Sequence, residues 1–399
     1  MAEKQQEKPH NPDKCLFVGI ATGQTETSKP KLMIVGEQNI RMHNLDDLEK
    51  TNKYSYSSQP QAIRVFEMFA LSNVLCFTTH DNPKQMVLWD CETAKPMIDH
   101  TFHEEVRKIR YFNNWIVVVT DHKSYCFKLS SFTSKAYYKQ TNMIIQPWET
   151  NHVCTPQPIL SVAGKPSDMQ ERMIVAFASN TQGGIIIKQY SKHSKFADSL
   201  TDVEAGVVTK EIEAHASHVV SAELSGDGTK VATASQNGTL IRVFDINKKT
   251  LLHEFRRGAA QANIHSMCFS PTLMWLAISS SQNTIHMFCL SHEEKNTKSS
   301  LAPLQFFLPK YFAGTFSGLQ YHFFDLNTSP TIQLFFDPGD ETLIHVLIPE
   351  LQLLYQLKIT YPKTDGTEGL MSVSKVFAYN KTNQPKISSA SATAAATSK

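Results

Sequence analysis

No two cysteines in this 399-residue chain are spaced as Cys-x-x-Cys, and the seven present (Cys15, Cys76, Cys91, Cys126, Cys154, Cys268 and Cys289) are scattered and odd in number. That argues against a zinc site and against a disulfide framework. Several lie in apolar runs, such as Val74-Leu75-Cys76-Phe77, where a free thiol acts as a small core residue and a reducing compartment is implied. Long hydrophobic runs are missing too. The longest, such as Trp115 to Val119, are five or six residues, too short to cross a bilayer. The opening MAEKQQEKPH has no apolar h-region, so no signal peptide is expected. There is no excess of one charge: 39 Lys and Arg against 37 Asp and Glu leave +2, which gives no global pull on nucleic acid, so any anion binding must be local. Walker A, G-x-S-x-G, H-E-x-x-H and dinucleotide fingerprints are all absent. The H-x-x-H from His215 to His218 has no third ligand at a suitable spacing. Catalysis, a metal and a cofactor are therefore not expected.

Helical periodicity is weak as well. Instead there are short runs of Val, Ile, Phe, Tyr and Thr, punctuated by Gly, Asn, Asp and Pro, as in a chain of many strands. Seven runs share one form: Asn39 to His43, Met86 to Asp90, Ser124 to Lys128, Gly184 to Lys188, Leu240 to Asp245, Thr284 to Phe288 and Leu353 to Leu357. Their spacing is close to, or longer than, that of a four-stranded propeller blade, and Trp89-Asp90 and Phe244-Asp245 stand where a WD dipeptide would close a third strand. The clearest unit is 215–245, with strands from Val219, Val231 and Leu240 separated by Ser225-Gly226-Asp227-Gly228 and Gln236-Asn237-Gly238; the unit from Ile264 to Phe288 repeats it. Radial packing of small sheets buries their faces and leaves only short edges. The expected fold is all-β, a seven-bladed β-propeller of WD-repeat type over 13–379, with disordered segments at 1–12 and 380–399.

One strand of this pattern ends in Phe255-Arg256-Arg257-Gly258. Successive residues of an extended strand point to opposite sides, so the two arginines can reach two different pockets. Guanidinium offers phosphate planar, bidentate donors, and Gly258 allows a sharp turn or a close approach. His215, Ser235, Thr239 and Arg242 sit at strand ends or turns of the preceding unit, and Ser266, Ser280, Ser281, Thr284 and His286 occupy similar places in the next. Two small phosphate pockets is one reading. The other is a solvated charge pair beside hydroxyls that satisfy backbone groups.

The Phe-Arg-Arg-Gly motif, following a unit that reads ATAS-x-x-GTLIRVFD, resembles the PROPPIN family, called WIPI proteins in animals. Further stretches from Phe66 to Leu75, Met86 to Asp90, Val106 to Arg110 with Ile116 to Val119, and Leu308 to Phe312 resemble the family in order. The resemblance implies a seven-bladed propeller that binds phosphatidylinositol 3-phosphate and phosphatidylinositol 3,5-bisphosphate, each arginine belonging to its own lipid site. Arg256 would join His215, Ser235, Thr239 and Arg242; Arg257 would join Ser266, Ser280, Ser281, Thr284 and His286. The chain departs from the family in having Asn283 before Thr284 where a glycine is common, and Ala259-Ala260 after the motif glycine.

The segment 291–317 is too long for a hairpin loop, and it carries Leu301, Leu304, Phe306 and Phe307 near Lys295, Lys298 and Lys310. By resemblance it is a membrane-facing loop. The implied protein is a monomeric peripheral effector on preautophagosomal, endosomal or vacuolar/lysosomal membranes. It would recruit an autophagy lipid-transfer or conjugation-machinery protein, with no nucleic-acid partner. The alternative is a WD-repeat interaction scaffold without lipid binding.

Overall fold

Each of the seven apolar runs is the third strand of a separate antiparallel sheet: Asn39–Asn44, Gln85–Asp90, Lys123–Lys128, Gly184–Tyr190, Leu240–Asp245, Thr284–Cys289 and Leu353–Thr360. The structure is a computed structural model. It describes residues 15–21, 31–36, 39–45, 51–55, 63–68, 74–91, 93, 95–112, 115–128, 148–152, 154–155, 158–163, 172–191, 206–291, 296–298, 315–323, 328–360 and 370–378. The expected tails 1–12 and 380–399, and Leu301, Leu304, Phe306 and Phe307, lie outside the described residues.

Sheets 1 to 7 follow one another along the chain, and each is built on four strands. Middle strands lie between neighbouring sheets on both faces, and so are apolar throughout rather than alternating. Met173–Ala178, Trp275–Ser280 and Thr284–Cys289 are buried at every position. The outer strands face solvent: Thr250–Arg256 is exposed along its first three residues.

Seven apolar clusters among the described residues fill the seven gaps. Membership alternates along each strand. Val231 and Phe244 of sheet 5 face sheet 4, whereas Ala232, Ala234, Ile241 and Val243 face sheet 6. The last gap joins sheet 7 to sheet 1 by Leu347 and Leu354 against Leu32, Ile34 and Leu45, with Gln356 Nε2 donating to the Leu45 carbonyl at 2.9 Å. Among the described residues, no strand is exchanged across this seam. The chain is thus a seven-bladed β-propeller, as its periodicity implies.

One departure concerns the long loop. Its stems form two short strands, Thr297–Lys298 and Thr315–Phe316. These do not extend sheet 6, from which they come. Thr315–Phe316 pairs in parallel with Phe255 and Arg256 on the edge of sheet 5, and Thr297–Lys298 pairs with Thr315–Phe316. Two-residue strands carry no periodicity, so the sequence gives no sign of them.

Candidate anion-binding clefts

The strand registers place sheets 2 to 6 on a common frame. The residue at the end of the second strand is Thr79, Thr120, Ser179, Ser235 and Ser280 in turn. A hydroxyl at this point belongs to the turn it closes: Thr79 Oγ1 accepts from the Asn82 N–H at 3.2 Å, and Thr120 Oγ1 donates to the Lys123 carbonyl at 2.9 Å. Ser235 and Ser280 are therefore not distinctive by themselves. What changes from sheet to sheet is the charge around them.

The position just after the outer strand holds Phe102, His152, Ala214, Arg257 and Phe323, all buried. Arg257 thus puts a cation at a point that apolar side chains plug in three other sheets. Its Nε donates to the Gly238 carbonyl at 2.7 Å, and its Nη2 donates to the Ala260 carbonyl. Burial draws its pKa down, with no carboxylate among the causes. Arg256, one residue earlier, occupies a position that is exposed as Thr101, Asn151, Glu213 and His322 elsewhere. It is buried because Thr315–Phe316 pairs alongside it.

Strand alternation sends the doublet apart. Phe255 packs toward sheet 6 and Arg256 takes the opposite face, toward sheet 4. The link that follows returns Arg257 to the sheet 6 side, where it acts on His286. Two clefts result.

In the cleft between sheets 5 and 6, Leu276, Ile278 and Phe288 of sheet 6 face sheet 5, and so do Ser280, Thr284 and His286 on the same alternation. Ser280 Oγ and His286 Nε2 each lie 3.2 Å from Thr284 Oγ1, and His286 Nδ1 lies 3.1 Å from Ser317 Oγ. Burial first, and then the charges of Arg257 and His322, hold His286 at about 3, so it is neutral near pH 7. His322 pairs with Thr284 across the strands. His322 and Ser317 belong to this group although sequence reasoning missed them; only the register reveals them. Ser281 closes the cleft's edge, its Oγ accepting from the Asn263 N–H at 3.1 Å.

Ser266 is a correction. It lies on the other face of sheet 6, with its hydroxyl 3.1 Å from the Leu334 N–H of sheet 7. Alternation puts it beside Cys268 rather than with His286. Asn283 resolves one departure from the family pattern. Its φ of 54 is left-handed like that of Gly238 at 61, and its N–H bonds the Ser280 carbonyl as Gly238 bonds Ser235. Asparagine tolerates this region, so the turn is kept without glycine.

In the cleft between sheets 4 and 5, His215 Nε2 lies 3.0 Å from Thr233 Oγ1. Burial, then Arg242, brings His215 down to about 4. Arg242 Nη1 donates to the Ala214 carbonyl at 2.7 Å, while Nε and Nη2 hold Glu254 at 2.8 and 2.7 Å. Ser235 and Arg256 lie on this face. The Thr239 main-chain carbonyl accepts the Arg257 N–H at 2.9 Å, the bond that closes the outer strand in each of sheets 2 to 6. Among the described residues, no group of three or more His, Cys, Asp and Glu side chains could hold a metal ion, and no helix is long and apolar enough to cross a membrane.

A profile of the PROPPIN family matches residues 179–318, which include Arg256 and Arg257. The chain is 28% identical over 269 residues to autophagy-related protein 18e of Arabidopsis thaliana, covering 65% of this chain and 64% of that one. It is 27% identical to SVP1-like protein 2 of Saccharomyces cerevisiae over 76% of this chain and 71% of the relative. It spans about half the length of the corresponding Candida glabrata protein, at 49%. Hsv2 of Kluyveromyces lactis shares the fold with a TM-score of 0.66 at 18% identity, covering 91% of this chain and all of that structure. The Atg21 propeller solved in complex with the coiled coil of Atg16 matches with a TM-score of 0.57 at 16% identity, over 92% of this chain and 100% of the solved one. With seven sheets in a ring and an Arg-Arg pair between two of its clefts, the chain is similar over residues 179–318 to the PROPPIN family and, over a longer stretch, to autophagy-related relatives of the same fold.

Proposed function

We propose that the protein is a peripheral membrane effector that binds phosphatidylinositol 3-phosphate and phosphatidylinositol 3,5-bisphosphate through the two clefts flanking Arg256 and Arg257, and that it recruits autophagy machinery to those membranes. The observation that carries this is Arg257: a buried guanidinium whose described hydrogen bonds go to neutral carbonyls, beside the His286 imidazole. A buried cation without a carboxylate is costly, and a phosphomonoester supplies the missing charge and acceptors. Arg256 on the opposite face serves the second cleft with His215, Ser235 and Arg242. The reading assigns no catalytic step.

Two clefts on neighbouring sheets act on one surface, so weak headgroup contacts reinforce each other through effective concentration. Leu301, Leu304, Phe306 and Phe307 would add apolar anchorage, and nearby lysines about 1 kcal/mol each at an anionic surface. A monomer working this way sits on preautophagosomal, endosomal or vacuolar/lysosomal membranes only while the lipid is present. The similar propeller of Atg21, solved in complex with the coiled coil of Atg16, supports a partner of that kind here.

The test is flotation with phosphatidylcholine vesicles carrying either lipid, compared with titration of soluble inositol 1,3-bisphosphate. Arg256→Thr with Arg257→Thr should abolish both signals while the circular dichroism spectrum and melting curve stay those of the parent. Undiminished flotation by the folded double variant would end the proposal.

A further inference from the structure

On the common frame of the sheets, one outer-strand position is acidic four times in succession. Asp99, Glu149, Glu211 and Glu254 lie opposite Val87, Tyr125, Ile186 and Arg242 in sheets 2 to 5. Each has a donor in its own sheet: Gln85 at 3.0 Å, Lys123 at 2.8 Å, Thr181 at 2.9 Å and Arg242 at 2.8 Å. Sheet 6 breaks the series. There the position is Gln320, opposite His286, and its amide donates to Ser317 Oγ at 2.9 Å. Glutamate and glutamine have nearly the same shape, so the exchange alters charge and little else.

The two clefts differ accordingly. Between sheets 5 and 6 the larger charge acting on His286 is that of Arg257, and among the described residues no carboxylate acts on it. Between sheets 4 and 5, Arg242 already holds a carboxylate, and Glu254 acts on His215 against Arg242. We infer that Glu254 is an internal competitor for the headgroup phosphate at Arg242, and that the Glu254/Gln320 exchange makes the cleft between sheets 5 and 6 the tighter of the two. This rests on the lipid-binding reading above. An incoming phosphate must displace Glu254 from Arg242 or accept its repulsion, whereas at His286 it meets a neutral amide. The Glu254 side chain is 43% exposed, so it can swing out to water once displaced. Its hold is that of a half-exposed ion pair, firm enough to grade affinity without closing the cleft.

The experiment isolates each cleft. Arg257→Thr leaves the sheet 4/5 cleft, and Arg256→Thr leaves the sheet 5/6 cleft. In the first background, Glu254→Gln should tighten binding to phosphatidylinositol 3-phosphate vesicles and to soluble inositol 1,3-bisphosphate by roughly two- to fivefold, the scale of a surface ion pair. In the second, Gln320→Glu should weaken both by a similar factor. The Arg256→Thr protein should also bind more tightly than the Arg257→Thr protein. Melting curves confirm that each variant is folded, and the two reciprocal substitutions give separate readouts if one is not. Unchanged or weaker binding on Glu254→Gln in a folded protein overturns the inference while leaving the lipid sites standing. Binding that ignores both arginine substitutions removes the sites themselves.

Discussion

His286 Nδ1 and Ser317 Oγ lie 3.1 Å apart, which ties a cleft residue of sheet 6 to the returning stem of the long loop. The same stem pairs with Arg256 one residue earlier, at Phe316. Residues 315–317 therefore touch both clefts. Ser317→Ala removes a partner from a buried imidazole and should destabilise the protein by about 1–3 kcal/mol. Urea unfolding reads this directly; an unchanged midpoint would mean that the contact carries no weight.

Arg257 is held as a planar fork between the carbonyls of Gly238 and Ala260. Lysine keeps the charge but cannot satisfy that geometry. Arg257→Lys should therefore bind vesicles more weakly than the parent, closer to Arg257→Thr than to wild type. Full flotation by the lysine variant would show that charge alone suffices.

Gly238 has a left-handed φ, and a Cβ there would overlap the Ala262 carbonyl oxygen. Gly238→Ala should cost about 1–3 kcal/mol. Asn283→Gly at the equivalent turn keeps the backbone conformation and loses the Asn283 Nδ2 bond to the Thr328 carbonyl at 2.9 Å, so it should cost about 1 kcal/mol or less. Equal losses in denaturant titrations would refute the comparison.

His215 at about 4 and His286 at about 3 lie below the usual histidine value of 6.5. The unfolded chain thus takes up protons that the folded one refuses, so stability is complete above about pH 6.5 and falls as pH drops toward the folded values. Each imidazole should cost about 2 kcal/mol at pH 5 relative to pH 8. His286→Asn should flatten that slope, as should phosphate bound beside His286, which favours its protonated form. A pH-independent unfolding midpoint between these values would contradict the assignment.

At the seam, Leu354 is fully buried against sheet 1. Leu354→Ala should cost about 2–5 kcal/mol, as for an interior leucine. A loss under about 1 kcal/mol would mean that the seam relaxes into the space.

The ring was legible because every third strand carries its own apolar signature, from Asn39 to Thr360. The split of the doublet was legible for a similarly local reason: adjacent residues on a strand diverge. What stayed hidden depends on pairing. Ser266 resembles Ser280 in sequence, but the alternation of its own strand turns it toward Leu334. His322 and Gln320 lie beyond a long connection, and nothing local relates them to Arg256 and Glu254 until the registers align. The stem strands Thr297–Lys298 and Thr315–Phe316 are too short to show a period and join a sheet other than the one that precedes them. Asn283 shows the converse case: a departure in letters that leaves the turn's geometry intact.

Among the described residues the seam is sealed by side chains and not by a shared strand, and every sheet draws its four principal strands from one continuous stretch of chain. A circularly permuted gene with new ends in the link between sheets 2 and 3 would still encode seven whole blades. The borrowed strands at 297–298 and 315–316 are the exception, since they staple sheet 5 to the loop of sheet 6. Those two blades should behave as one cooperative unit in hydrogen exchange, opening together while the seam opens first.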